Sequence, residues 1–164
     1  MIVVSDTSPL SGLAIAGYLG LLEQVYGRVL IPSGVMQELR RGGEDDPRIL
    51  EVLGLDWIEV RQPTNQKWVE VLESEHNLDR GESEAIALAL EVNAEALLID
   101  ERLGRRKAVD LGLSITGLLG ILLVAKRRGL ISLLQPIMDS LIEEANFRIG
   151  ANVYREVLAA AGEL

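Results

Sequence analysis

The sequence of 164 residues contains no cysteine and only one histidine. Without cysteine, disulfide bonds, thiolate zinc sites and a cysteine nucleophile are excluded, and a reducing cytoplasm is the expected location. The histidine, His76, lies in a polar stretch at residues 74–77, which is typical of a protein surface. We therefore expect no Ser–His–Asp triad.

Long hydrophobic runs are also missing. The most apolar segment, residues 111–125, is interrupted by glycine and is too short for a helix that spans a bilayer, so we expect it in the core. The acidic Asp6 arrives before an apolar signal-peptide core could form, so no signal peptide is expected. These features predict a protein with no membrane association.

Positive charge is scarce, because 16 Lys and Arg residues face 25 Asp and Glu residues and the net charge is −9. This balance argues against a protein that coats nucleic acid through a basic surface. It does not exclude a nuclease, because an acidic metal pocket itself adds negative charge. Basic clusters remain, and the largest contains Arg102, Arg105, Arg106 and Lys107.

Short apolar runs alternate with helical patterns along the chain. Strands are predicted at residues 2–5, 29–31, 57–60, 96–99 and 114–116, with helices between and after them. The alternation indicates an α/β fold with helices on the faces of a short parallel sheet. No linker or repeat interrupts it, so we expect one domain over residues 1–164, with a core at about 1–130 and a helical extension at about 131–164.

Capping residues predict where helices begin and end. Ser8 followed by Pro9 predicts a helix that starts at Pro9. The pair Gly42-Gly43 predicts the end of the helix that follows the second strand. Asp79 and Glu82 have the spacing of a capping box at the start of another helix.

Four acidic residues come from separate segments that a parallel sheet brings to one edge. Asp6 and Asp100 directly follow apolar strands, Glu38 lies about one turn into a helix, and Glu82 lies in the first turn of another. Ligand sites in such sheets lie beyond the carboxyl ends of the strands. Carboxylates gathered there repel one another unless a hard cation such as Mg²⁺ or Mn²⁺ binds between them.

Each acid also has an interpretation that needs no ligand. Asp6 and Asp100 are placed to cap the helices that follow them, and Glu38 has the position of a solvated helix residue. Glu82 can close a capping box with Asp79. The joint pattern favours a metal site over four separate explanations.

Four segments carry a resemblance to a known family. They read VVSDTS from Val3, IPSGVMQE from Ile31, GESEAIALA from Gly81 and LLIDE from Leu97. Together they resemble the PIN-domain nucleases, which include the VapC-type toxins of toxin–antitoxin pairs. The chain is most similar to a prokaryotic PIN-like group with the further motifs IDE-x-x-GR-x-x-A, TG-x-x-G and AK-x-x-GLI, and the likeness covers nearly the whole sequence.

The resemblance implies a three-layer α/β/α fold and a toxin-like ribonuclease that hydrolyses RNA phosphodiesters with water activated by Mg²⁺ or Mn²⁺. Asp6, Glu38, Glu82 and Asp100 match the acids of the family, which hold the metal and are catalytic. Ser8 matches the small polar residue that supports the first acid. The resemblance also implies an antitoxin partner protein and a homodimer. The cationic side chains of Arg102, Arg105, Arg106 and Lys107 are the expected contacts to the phosphate backbone.

The sequence departs from the family pattern at two acids. The third acid is usually Asp, and here Glu82 competes with Glu84 for that place. Two positions on a helix are about 200° apart, so both cannot face one pocket, and we choose Glu82 for its spacing to Asp100. The fourth segment reads Ile-Asp-Glu rather than Thr-x-Asp, which adds Glu101 as a possible supporting ligand.

Other functions fit the residues less well. A haloacid-dehalogenase-type phosphatase needs a second Asp where this chain has Ser8, and a receiver domain needs a lysine that cannot be placed. A P-loop is absent, because no Lys-Ser/Thr follows Gly120. The main alternative is an inert PIN-like module that binds or regulates without catalysis.

Overall fold

The computed structural model describes residues 1–164 as one central sheet of five strands with ten α-helices around it. The strands are β1 Val3–Ser5, β2 Val29–Ile31, β3 Ile58–Val60, β4 Ala96–Leu98 and β5 Ile115–Thr116. The helices are α1 Thr7–Ala16, α2 Gly20–Tyr26, α3 Ser33–Asp45, α4 Pro47–Leu50, α5 Gln66–His76, α6 Arg80–Glu91, α7 Arg102–Asp110, α8 Leu118–Arg127, α9 Gln135–Glu144 and α10 Ala151–Ala160. A 3-10 helix, Glu51–Gly54, follows α4.

All neighbouring strands are parallel, in the order β3-β2-β1-β4-β5. Alternate residues of a strand face opposite sides of the sheet. Val3 and Leu98 accordingly pack with α1, α2, α3, α8, α9 and α10, whereas Val4 and Leu97 pack with α5, α6 and α7. The predicted three-layer α/β/α fold with a short parallel sheet is therefore confirmed.

The apolar segment at residues 111–125, which was expected in the core, is buried only from Gly117 onward. Leu118, Ile121, Leu122 and Ala125 of α8 are fully buried against one face of the sheet. The longest helix, α3, has 13 residues, and no helix combines the length and apolar character that crossing a membrane requires.

Two predicted helix boundaries are wrong. Helix α1 begins at Thr7 rather than Pro9, and Asp6 rather than Ser8 holds the N-cap position, although its carboxylate makes no capping hydrogen bond. Helix α3 continues through Gly42 and Gly43 to Asp45. A β-carbon at Gly43 would overlap the side chain of Leu50, so this glycine permits the close packing of α4 instead of ending α3.

The carboxyl ends of the five parallel strands meet at one edge of the sheet. Strand pairing continues past the strands there, because the Asp6 amide donates to the Leu98 carbonyl at 2.8 Å and the Ile99 amide donates to the Thr116 carbonyl at 3.0 Å. Asp6 and Asp100 are therefore positioned by hydrogen-bonded backbone of the sheet, not by a free loop.

Candidate active site

Asp6, Glu38 and Glu82 lie together at the carboxyl edge of the sheet. The charge of Glu38 acts on Asp6, and the charge of Asp6 acts on Glu82. The Thr7 hydroxyl donates to Oε2 of Glu38 at 2.6 Å, so the Glu38 side chain reaches the residue next to Asp6. Three elements that are distant in sequence thus contribute one carboxylate each to a common patch.

Asp6 is the most deeply buried acid of this patch, with 3% of its surface exposed. Its Oδ1 is buried and has no hydrogen-bond partner. Burial raises the pKa of Asp6 to about 7, and the charges of Glu38, Asp79 and Glu101 act in the same direction against a hydrogen bond from the Thr7 amide. An ionised carboxylate is therefore costly at this position without a compensating positive charge.

Glu82 is nearly as unfavourable a place for a negative charge. Burial raises its pKa to about 8, and the carboxyl group of Asp79 adds to the shift through its charge and a shared hydrogen bond. Asp79 also caps α6, since its Oδ1 accepts from the Glu82 amide at 2.8 Å. A β-carbon at Gly104 of α7 would lie 3.1 Å from Oε2 of Glu82, so glycine leaves the room that this carboxylate occupies.

Glu38 faces both the acids and the start of α6. Burial raises its pKa, the Thr7 hydroxyl acts against that shift, and the charge of Asp79 adds to it. A β-carbon at Gly81 would overlap the Glu38 carboxylate. The absence of a side chain at position 81 is therefore part of what places Glu38.

Glu84 points away from this patch. Its Oε1 accepts from the Gly34 amide at 2.7 Å, and its Oε2 accepts from Gln62 and from the Arg80 guanidinium, each at 2.9 Å. Both oxygens are therefore occupied: Oε1 ties α6 to the first turn of α3, and Oε2 bonds to the segment after β3 and to the start of α6 itself. The structure accordingly brings Glu82, not Glu84, to Asp6.

Asp100 lies beside the patch but has different neighbours. Burial raises its pKa, whereas the Leu118 amide, which donates to Oδ1 at 3.0 Å, and the charge of Arg105 act in the opposite direction. Its Oδ2 is buried without a partner. The charge of the exposed Glu101 contributes to the raised pKa values of Asp6, Glu82 and Asp100, and Glu101 lines one groove together with Asp100 and Ser8.

Two residues of the site were not singled out from the sequence. Thr7 holds Glu38, whereas Ser8, the predicted support, lies in a groove with Asp100 and Glu101 and its hydroxyl bonds to no acid. Asp79 was predicted only as a helix cap, yet its charge acts on Asp6, Glu38 and Glu82. Thr7 lies inside the motif DTS from Asp6, so its place next to the first acid was visible in the sequence. For Asp79, no sequence spacing distinguishes an Asp that only caps a helix from one that also faces a site.

The four predicted basic contacts separate into two pairs. Arg105 lies beside Asp100 and donates to the Ile99 carbonyl at 2.9 Å, and Arg102 lines a groove of about 440 Å³ that includes Asp100. Arg106 is exposed and Lys107 is half-buried, and neither lines the grooves at Asp100.

The donor atoms of this edge fit Mg²⁺ or Mn²⁺ in their chemistry. All are carboxylate oxygens, and two of them are buried without hydrogen-bond partners. Burial raises the pKa values of Asp6 and Glu82, so a nearby cation would stabilise their ionised forms. The side chains as placed do not arrange three carboxylates around one ion. The patch thus has the ligands that a hard cation prefers, in an arrangement that must tighten to coordinate it.

A comparison with family models identifies the family of this chain. A family model described as DUF3368, a PIN domain, matches residues 2–163. Among solved structures, a PilT N-terminus domain protein from the hyperthermophilic archaeon Sulfolobus solfataricus P2 is similar, with 19% identity, coverage of 91% of this chain and 100% of that chain, and a TM-score of 0.49. A comparison with curated proteins gives no match. The chain belongs to the PIN-domain family, whose members are usually nucleases that use divalent metal ions.

Proposed function

We propose that the protein is a Mg²⁺- or Mn²⁺-dependent endoribonuclease, with Asp6, Glu38, Glu82 and Asp100 as its metal ligands. The observation that carries the proposal is the Asp6 carboxylate, which is buried beside two other acids with an unpartnered Oδ1. Such a group is unfavourable in a protein that never binds a cation there. Membership of the PIN-domain family supports the same activity.

A bound divalent cation supplies an activated water and compensates the charge that develops on a phosphodiester. The protein's own residues orient the ligands. Thr7 fixes Glu38 through its hydroxyl, and the Leu118 amide fixes one oxygen of Asp100. Glu101 serves as a supporting acid, and Arg102 and Arg105 are placed beside Asp100 to bind phosphate oxygens.

An inert PIN-like module is the second candidate. The hydrogen bond from the Glu82 amide to Asp79 favours it, because a helix cap accounts for the placement of these two acids without a ligand. In such a module the acidic edge has no catalytic task, and binding or regulation relies on other surfaces.

Cleavage of a labelled single-stranded RNA pool tests the proposal. Wild type, Asp6→Asn and the matched control Asp110→Asn, which removes an exposed acid at the end of α7, are compared with Mg²⁺, Mn²⁺ or EDTA. We expect metal-dependent cleavage by wild type and the control, and at least about a hundredfold less by Asp6→Asn. Titration calorimetry with Mn²⁺ provides the second readout.

The outcomes separate the two candidates. Cleavage by Asp6→Asn at the wild-type rate would refute the proposed ligands. Neither cleavage nor Mn²⁺ binding by wild type would favour the inert module. Mn²⁺ binding that requires Asp6, without cleavage of the pool, would retain the metal site and reject a broad RNA specificity.

We extend the proposal to a toxin-like role in the cytoplasm, with an antitoxin protein as partner and a homodimer as the assembly. These features rest on the likeness to toxin-type PIN domains. Induced expression of wild type should arrest bacterial growth, and Asp6→Asn should not. Multi-angle light scattering of the purified chain measures the assembly, and a monomer at all concentrations would contradict the dimer.

A further inference from the structure

We propose that the grooves beside Asp100 form a binding site for single-stranded RNA, in which Arg127 and Arg148 hold phosphates and Phe147 stacks on a base. This inference deepens the proposed function, since it names how the substrate would be held. It adds residues from α8 and from the segment between α9 and α10, neither of which contributes an acid to the candidate active site.

Two grooves of about 530 Å³ and 440 Å³ open on either side of Asp100. Both are lined by Asp100, Phe147 and Arg148. The larger groove lies between the carboxyl end of β5, the start of α8 and residues 147–150, and the smaller one reaches Ser8 and Glu101. Because the smaller groove is lined by Asp100, Glu101 and Ser8, which lies two residues after Asp6, a strand in this groove passes beside the candidate active site.

The larger groove carries an excess of positive charge in a protein with a net charge of −9, whereas the two arginines of the smaller groove face Asp100 and Glu101. Arg105, Arg127 and Arg148 line the larger groove, and Arg102 and Arg148 line the smaller one. None of these arginines forms an ion pair within the protein. Unpaired guanidinium groups along a groove are suited to bind successive phosphates of a nucleic-acid strand.

Arg105 is fixed at the floor of the larger groove. Its Nη1 donates to the Ile99 carbonyl, and a β-carbon at Gly117 would lie 2.6 Å from both this nitrogen and Oδ1 of Asp100. Glycine at position 117 therefore leaves the guanidinium and the carboxylate beside each other at the groove. A preorganised cation loses little side-chain entropy when it binds a phosphate.

Phe147 distinguishes an RNA strand from an acidic peptide as the occupant. It is the single phenylalanine of the chain, and it lies half-buried in both grooves next to Arg148. Its amide donates to the Leu141 carbonyl at 3.0 Å, which holds it at the end of α9. One part of Phe147 packs against the hydrophobic core, and the rest lies in grooves lined by arginines, an arrangement suited to bind an unpaired base and its phosphates together.

Fluorescence anisotropy with a labelled mixed-sequence RNA of about 12 nucleotides tests this site. Binding is measured in EDTA, so that the result does not depend on cleavage. We expect Arg127→Gln and Arg148→Gln each to reduce the slope of log affinity against log salt by about 0.7. Phe147→Leu, which keeps apolar packing, should weaken binding about tenfold.

Arg155→Gln is the matched control, because this exposed arginine of α10 lies outside both grooves and its removal changes the net charge equally. It should bind as wild type does, and circular dichroism should show that every variant is folded. Wild-type affinity in the Arg127, Arg148 and Phe147 variants would overturn the site. So would the absence of wild-type binding at low salt, or equal competition by polyglutamate.

The test separates this inference from the proposed nuclease activity. RNA cleavage by wild type together with unaffected binding in the groove variants would reject the groove and retain the nuclease. Binding that requires Arg127 and Arg148, in a protein that cuts no RNA with any metal, would retain the groove and reject the nuclease.

Discussion

At the scale of single residues, Asp6 and Glu82 determine how the site responds to protonation. Both are buried among other acids, and their pKa values rise to about 7 and about 8. In the unfolded chain they titrate near 3.8 and 4.5. Between these values the folded protein holds more protons than the unfolded chain, so the free energy of unfolding falls as the pH rises.

The metal-free protein should therefore be most stable below pH 4 to 5 as far as these two groups are concerned, and lose that stability as the pH rises through 7 to 8. We expect the melting temperature in EDTA to fall by about 5 °C or more over this range. Asp6→Asn should reduce the fall, and Asp110→Asn should not. Differential scanning calorimetry between pH 4 and pH 8 measures the melting temperature. A fall in Asp6→Asn equal to that of wild type would contradict the assignment of the pH dependence to the buried Asp6 carboxyl group.

Thr7 is a positioning residue for Glu38. Thr7→Val keeps the shape of the side chain but removes the donor that lies 2.6 Å from Oε2. Since a hydrogen bond to a charged group contributes about 1.5–3 kcal/mol, we expect a loss of about that size in urea unfolding at neutral pH. Mn²⁺ affinity, measured by calorimetry, should fall as well, whereas Thr7→Ser should retain both properties. Unchanged stability and Mn²⁺ affinity in Thr7→Val would remove Thr7 from the site.

At the scale of elements, the first turns of α6 separate two tasks. Gly81 makes room for the Glu38 carboxylate, and Glu82 faces Asp6. Glu84 instead accepts a hydrogen bond from the Gly34 amide, and this bond anchors the start of α3. Glu84 also forms an ion pair with Arg80 of its own helix. Because positions 82 and 84 are about 200° apart around the helix, one carboxylate faces the candidate active site and the other faces the contact between α6 and α3.

Gly81→Ala tests this arrangement. Helix propensity alone favours alanine over glycine by about 1 kcal/mol in a helix. The new methyl group would overlap the Glu38 carboxylate, so we expect no gain in stability and at least about tenfold weaker Mn²⁺ binding. Gly20→Ala in α2, where no atom lies near the new methyl group, should be neutral or stabilising. Urea unfolding and calorimetry report both effects, and full Mn²⁺ affinity in Gly81→Ala would reject the role of the glycine.

At the scale of the whole molecule, the last helices are attached to the sheet layer through both packing and a polar clamp. Met138 and Leu141 of α9 and Leu158 of α10 belong to the same hydrophobic cluster as Val3 of β1. The Glu163 carboxylate accepts from the amides of Leu134 and Gln135 and from Nζ of Lys126. The end of the chain thereby joins α8, the start of α9 and α10.

Glu163→Ala removes this clamp without touching the acidic patch. We expect the melting temperature to fall by about 3 °C or more, because two backbone amides and one ammonium group lose their acceptor. Glu156→Ala, an exposed acid of α10, should have little effect. Metal binding should be unchanged in both variants. A melting temperature equal to that of wild type in Glu163→Ala would show that the clamp contributes nothing.

The strands and most helices were predictable because local patterns carry them. The run Val29–Ile31 is apolar, contains two β-branched residues and is the observed strand β2, and the Asp79 cap opens α6 as its spacing predicts. Where a helix boundary differed from the one that local residues predict, tertiary packing explains the difference. Gly42 and Gly43 are helix terminators by propensity, but they lie inside α3 because α4 packs against them.

The sequence by itself determined the α/β class and the family, and it predicted that Asp6 and Asp100, which directly follow apolar strands, lie at the carboxyl edge of the sheet; the choice between Glu82 and Glu84 needed the structure. Only the tertiary structure decided their partners: Thr7 on Glu38, Asp79 beside Glu82, and Arg127, Phe147 and Arg148 in the grooves at Asp100. The physical reason is that secondary structure follows from neighbours in sequence. Burial, pKa and the lining of a groove depend on atoms that folding brings together from distant segments.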